Sequence, residues 1–308
     1  MIVKESIARD LLRLVVWYPL RWLVEILPLG LDFKLLRFIG DIHYFVQNKK
    51  TNIILKNLRS VFNARGLQEA DCLRILRNYY RNHYVSQLQI FIFPKLNEKN
   101  IGKIHRFTGL ENLNEALKGK KGCVLLHAHF GPAQLPLHAL GIEGYSVTQL
   151  GLPTDEGLSF VGRNVAFRLR LIYENKIRGR IISTESFLRP LFKALKNNDI
   201  VFMTGDGAGG NKFIGKSVVE NFLGNETKFT LGSKIIAEKT GACVLPLFTV
   251  QEGDTYITHI YESLNPDGSC ENIISDFSRI FESHVTNYPS LWHFWDEFDK
   301  RIVKKSVS

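Results

Sequence analysis

Residues 123–134 read Cys123-Val124-Leu125-Leu126-His127-Ala128-His129-Phe130-Gly131-Pro132-Ala133-Gln134, and the order of residue types there sets the fold class. A short apolar run without alternation is the pattern of a strand buried on both faces. Histidine, glycine and proline then end it, and Pro132 is fit to open a helix, because the N–H it lacks would have no intrahelical partner at a helix start. The same rhythm continues along the chain. A helix-like segment covers 134–140, and further apolar runs stand at 199–204 (DIVFMT), 242–250 (ACVLPLFTV) and 255–261 (TYITHIY). Short buried runs alternating with longer amphipathic segments predict an α/β class with a mixed central sheet flanked by helices.

Upstream the pattern is helical. Apolar residues recur at spacings of three and four from about Asp32 to Phe93, as in Leu55, Leu58, Val61 and Phe62, and Pro94 punctuates the end. Before that, residues 11–31 read LLRLVVWYPLRWLVEILPLGL, where the longest charge-free run is the seven residues from Leu14 to Leu20. A membrane span needs about 20 apolar residues, so this stretch predicts an interfacial anchor instead, with Trp17, Tyr18 and Trp22 at headgroup level beside snorkelling arginines. The alternative is a pair of ordinary helices broken at Pro19 and Pro28. The expected organisation is therefore an N-terminal amphipathic anchor and helical region over 1–95 and an α/β core over 96–308.

The charge balance bounds the partners. Across 308 residues, 40 Lys and Arg stand against 30 Asp and Glu, a net charge of +10 that favours an anionic partner. The first 60 residues hold ten Lys or Arg against five Asp or Glu, which adds attraction to an anionic membrane surface. No zinc-finger spacing, aromatic RNA-binding motif or long basic tail accompanies the charge, so nucleic acid is not expected. Cys72, Cys123, Cys243 and Cys270 are far apart and read as free thiols, with no metal-ligand spacing among them. Glu5, Arg9, Asp10 and Arg13 interrupt what a signal peptide would need, so the expected location faces the cytosol.

Chemistry is expected in the loops at the strand ends, where open α/β folds bind their ligands. His129 there suits a general base, provided another side chain accepts its second ring N–H and fixes the tautomer. Gln134, five positions on, offers its amide oxygen for this. His138 and Glu143 repeat the spacing, but His138 falls inside the following helix, so that match reads as coincidence. The second loop, Gly205-Asp206-Gly207-Ala208-Gly209-Gly210, satisfies G-x-G-x-x-G, yet the residues after it form no amphipathic helix to meet a pyrophosphate. Asp206 instead reads as orienting a cation or a polar substrate group, with Gly207 and Gly210 allowing close approach to the backbone. No G-x-S-x-G elbow is present, which leaves out an α/β-hydrolase.

Several blocks in order resemble the lauroyl/myristoyl acyltransferase family of lipid A biosynthesis, within the lysophospholipid acyltransferase superfamily. Asn57-Leu58-Arg59-Ser60-Val61-Phe62 resembles its N-L-R-x-x-F segment, and Gly109-Leu110-Glu111-Asn112-Leu113 its G-x-E-x-L stretch. His129-Phe130-Gly131 falls on the H-F-G, Asp206 through Gly210 on the aspartate loop, and Phe222-Leu223-Gly224 on the F-F-G. Thr230, Ala237, Thr240-Gly241-Ala242 and Pro246 follow the next run, and Tyr288-Pro289-Ser290-Leu291-Trp292 resembles the closing P-x-x-x-W. The likeness covers most of residues 10–300.

The resemblance implies transfer of a fatty acyl chain from an acyl carrier protein or coenzyme A thioester to a hydroxyl of a lipid, at the cytoplasmic face of an inner membrane and without metal or cofactor. His129 inherits the base role. His127, Phe130 and Gly131 join it as substrate-contacting candidates, with Arg178 or Arg180 at the family's arginine position and Arg168 and Arg170 as alternatives. The acidic residue expected five positions after the histidine is here Gln134, and an amide cannot balance an imidazolium with a full charge. Three arrangements stay open: an acyltransferase that tolerates Gln134, one in which Asp206 supplies the carboxylate, or a catalytically weak relative that binds lipid or acyl carrier.

Overall fold

A computed structural model describes residues 6–46, 49–151, 155–183, 188–207 and 215–303. Its strands are β1 (His105–Thr108), β2 (Cys123–His127), β3 (Val147–Gly151), β4 (Arg180–Ser183), β5 (Ile200–Thr204), β6 (Ser217–Phe222), β7 (Asn225–Thr230), β8 (Cys243–Glu252) and β9 (Thr255–Ile260). Seven of these form one sheet in the order β1-β9-β8-β2-β5-β3-β4, parallel throughout except for the antiparallel β8–β9 pair. The sheet is mixed, as expected. β6 and β7 form a separate antiparallel hairpin.

Helices cover both faces, and the apolar strands explain how. Val124 and Leu126 of β2, with Val201 and Met203 of β5, face one hydrophobic cluster; Cys123, Leu125, Ile200 and Phe202 face another. A continuous apolar run thus divides residue by residue between two cores. The first core is closed by α4 (Lys49–Phe62), α5 (Glu69–Leu88), α9 (Arg189–Lys196), α10 (Gly232–Thr240) and α11 (Ile273–Asn287). The second lies beyond the exposed α1 (Ile7–Val15) and takes residues from the turn after it, from α2 (Arg21–Ile26) and α3 (Leu31–Phe45), and from α6 (Leu110–Lys118), α7 (Leu135–Ile142) and α8 (Arg168–Glu174). The short α12 (Phe298–Arg301) ends the regular structure among the described residues.

Two details at the N-terminus differ from expectation. Pro19 does not break the helix: a π-helical turn over Val16–Leu20 joins α1 to α2, and the wider turn accommodates the missing N–H and the ring. Trp17 does not sit at a headgroup level either, because it is buried against Phe91 and Tyr173 with ring centroids 5.1 and 6.2 Å away. Burying such a side chain contributes about 1.5–3 kcal/mol, which holds the turn on the core. The end of α2 is fixed by Lys95, whose Nζ donates to the carbonyls of Val24 (2.6 Å) and Leu27 (3.0 Å) and meets the buried Asp32 carboxylate at 2.5 Å. Among the described residues no helix is long and apolar enough to cross a membrane. Exposed apolar side chains nevertheless gather on this segment: Ile7, Leu11, Leu12 and Val15 on α1, and Trp22 and Ile26 on α2.

Candidate active site

The site follows from strand register. β2 and β5 are parallel neighbours with His127 opposite Thr204, and the Gly205 N–H donates to the His127 carbonyl at 2.8 Å. Two residues beyond each strand end therefore lie side by side. These are His129 and Asp206, and the His129 Nδ1–H donates to Asp206 Oδ1 at 2.8 Å while the His129 backbone N–H donates to Oδ2 at 3.0 Å. The Trp292 indole N–H adds a longer contact to Oδ2 at 3.4 Å.

Exposure separates the two roles. The Asp206 side chain is 4% exposed and that of His129 33%, and among the described residues no protein group hydrogen-bonds His129 Nε2. A carboxylate holding Nδ1–H leaves the Nε2 lone pair free to take a proton from an approaching hydroxyl. Burial pushes the Asp206 carboxyl up, but the charge of His129, the hydrogen bonds from His129 and the Arg301 charge outweigh it, holding the group below its ordinary value.

The chain's last described segment closes over the first loop. Phe130 and Trp292 form an antiparallel bridge, Gly131 N–H donates to Leu291 O at 2.8 Å, and His293 N–H donates to His129 O at 2.9 Å. The His293 Nε2–H reaches Gly131 O at 2.7 Å. Gly131 itself adopts φ +60°, and a Cβ there would lie 2.5 Å from the Thr249 carbonyl of β8. Its role is to let the loop rest on the sheet.

The remaining candidates take other places. Gln134 precedes α7 and makes no hydrogen bond to His129 among the described residues; Asp206 occupies the ring nitrogen assigned to it from spacing. The helix begins at Leu135 with Pro136 near its start, so Pro132 stays in the loop. His127 is buried, donates Nδ1–H to Ala128 O at 3.0 Å and rests on Phe202, and burial lowers it to about 4. Phe130 is likewise core, edge-on to Phe248. Gly207 follows Asp206 with φ +83°, and Gly210 lies outside the described residues.

Arg178 and Arg180 are not brought to His129. Arg180 opens β4 opposite Thr148, level with Val201 near the start of β5, whereas Asp206 lies past the end of that strand. Arg178 pairs with Glu98, and its backbone N–H donates to His138 Nδ1 at 3.0 Å. Arg170 pairs with Glu174 on α8 at 2.7 Å. His138 sits inside α7, stacked on Phe93, apart from any acid–base arrangement with Glu143.

Three residues near the pair escaped the sequence reading: His293, Phe294 and Arg301. The Phe294 ring lies 4.4 Å from the His129 ring, and the buried Arg301 guanidinium lies 3.9 Å from the Phe294 centroid. Nothing in their local sequence marks them, since only the fold returns the C-terminus to this loop.

The class is thus an α/β protein with a carboxylate-held histidine, one ring nitrogen accessible, past the C-terminal ends of adjacent parallel strands. The family model for bacterial lipid A biosynthesis acyltransferases matches residues 6–298, nearly the whole chain, and the chain belongs to that family. Membership makes acyl transfer to a lipid acceptor its general activity. No curated protein matches the chain.

Proposed function

We propose that the protein is an O-acyltransferase in which His129 Nε2 is the general base and Asp206 orients and charge-balances it. The acceptor hydroxyl loses its proton to Nε2 as its oxygen attacks the thioester carbonyl. Collapse of the tetrahedral intermediate breaks the C–S bond, and the imidazolium returns the proton to the departing thiolate. The observation that carries this reading is the 2.8 Å Nδ1–H to Asp206 contact with Nε2 left accessible. A binding-only relative was suggested by the missing acid at Gln134, and the Asp206 carboxylate supports the enzyme reading over it.

The donor we propose is a fatty acyl thioester of an acyl carrier protein or coenzyme A, both anionic and suited to a chain of net charge +10. The acceptor is a lipid of the lipid A kind, reached from the cytoplasmic side of an inner membrane by peripheral attachment through the apolar faces of α1 and α2. The test is transfer of labelled acyl chains from both donors to lipid acceptors in vesicles. Wild type transfers, and His129→Ala loses about 10²–10⁴-fold, the range of a missing general base. Undiminished transfer by His129→Ala contradicts the assignment.

A further inference from the structure

We propose that Arg301, three residues beyond the family-matched span, is a positioning residue that fixes the His129–Asp206 pair from behind. This inference rests on the proposed base role of His129. The Arg301 side chain is 2% exposed, and such burial of a guanidinium is costly unless its donors are met by acceptors. One arm donates to the main-chain carbonyl of Asp206 at 2.5 Å, and the other to Glu297 Oε2 at 3.0 Å. Its plane also meets Phe294, the ring that touches His129. A single cation therefore reaches both halves of the pair, Asp206 through its backbone and His129 through the intervening ring.

Charge explains why a cation belongs there. Asp206 and Glu297 are both carboxylates, and Arg301 donates to the main chain of the first and the side chain of the second. When His129 takes the hydroxyl proton, the new positive charge forms against the Asp206 carboxylate, whose main chain Arg301 holds. Without Arg301 the Asp206 main chain loses this anchor and Glu297 loses a charged partner. The α12 helix is held independently, because Val303 N–H donates to Glu226 O at 2.7 Å and Ile302 bridges Thr227. Arg301 is thus not needed merely to attach the C-terminal segment.

The experiment compares Arg301→Gln, Arg301→Lys and Phe294→Leu in full-length protein, by transfer kinetics and by ¹⁵N NMR of the His129 imidazole. Arg301→Gln lowers kcat by about tenfold or more with KM for the acyl donor unchanged, and the His129 ring changes from a single Nδ1–H tautomer to a mixture. Arg301→Lys keeps the charge and recovers part of kcat. Should Arg301→Gln fail to fold, Phe294→Leu carries the test, with the same kcat loss and tautomer mixing expected. A wild-type kcat together with a single Nδ1–H tautomer in Arg301→Gln, or in Phe294→Leu if that variant carries the test, overturns the proposal. The NMR reading does not depend on turnover, so a wild-type enzyme silent in every transfer assay refutes the proposed function while the positioning claim is still decided by the ring spectrum.

Discussion

Asp206 and Gln134 present two ways of holding the same imidazole, and geometry separates them. A carboxylate 2.8 Å from Nδ1 fixes the tautomer and balances the imidazolium, whereas an amide does only the first. In the proposed mechanism the acid stands on the neighbouring strand's loop instead of one helical turn ahead, at a different sequence distance from the histidine. Gly131 shows the same economy at the backbone. Its φ of +60° and the 2.5 Å approach to the Thr249 carbonyl leave no room for a Cβ. Gly131→Ala should destabilise the fold by about 1–3 kcal/mol and lower transfer, because the loop must lift off β8 and carry His129 with it. Urea unfolding of this variant checks the point; a wild-type midpoint would show that the loop tolerates the shift.

Among the described elements, α1 buries none of its residues, and its apolar side is not covered by the protein. Ile7, Leu11, Leu12 and Val15 are exposed, while the next turn buries Trp17. Truncating residues 1–30 would therefore remove core as well as surface, so the sharper test of membrane attachment is substitution. Leu11→Asp, Leu12→Asp and Ile26→Asp together should abolish co-sedimentation with anionic vesicles while leaving the circular dichroism unchanged. Pelleting at the wild-type level would contradict an interfacial role for this face. The central strands β2, β5, β8 and β9 were legible because each is an apolar run bounded by turn residues. β1, β3 and β4 were not, since polar residues interrupt the short apolar stretches of His105–Thr108, Val147–Gly151 and Arg180–Ser183. His129 and Asp206 were readable as separate strand-end residues, but their pairing depends on β2 and β5 being neighbours in register, which no local pattern encodes.

Over the whole molecule, buried histidines tie stability to pH. Burial lowers His105 to about 3 and His127, His138 and His284 to about 4, while an unfolded histidine titrates near 6.5. Between those values the unfolded chain binds protons that the native one refuses. The stabilisation is complete above about pH 6.5 and is lost as pH falls toward 4, by up to about 1.4 kcal/mol per group for each pH unit. Asp206, held low in the fold, is lost in the same direction at still lower pH. The urea midpoint should accordingly fall steeply from pH 7 to pH 5; an unchanged midpoint would contradict this burial. For catalysis, we propose that a carboxylate two residues past β5, Asp206, takes the place of the acid absent at position 134. It is tested most directly by single-turnover acyl transfer with Asp206→Asn and Gln134→Glu, both shown to be folded. The expected result is a loss of about 10²–10⁴-fold in Asp206→Asn and a change of no more than a few-fold in Gln134→Glu. Wild-type transfer by Asp206→Asn, with a large gain in Gln134→Glu, would contradict it.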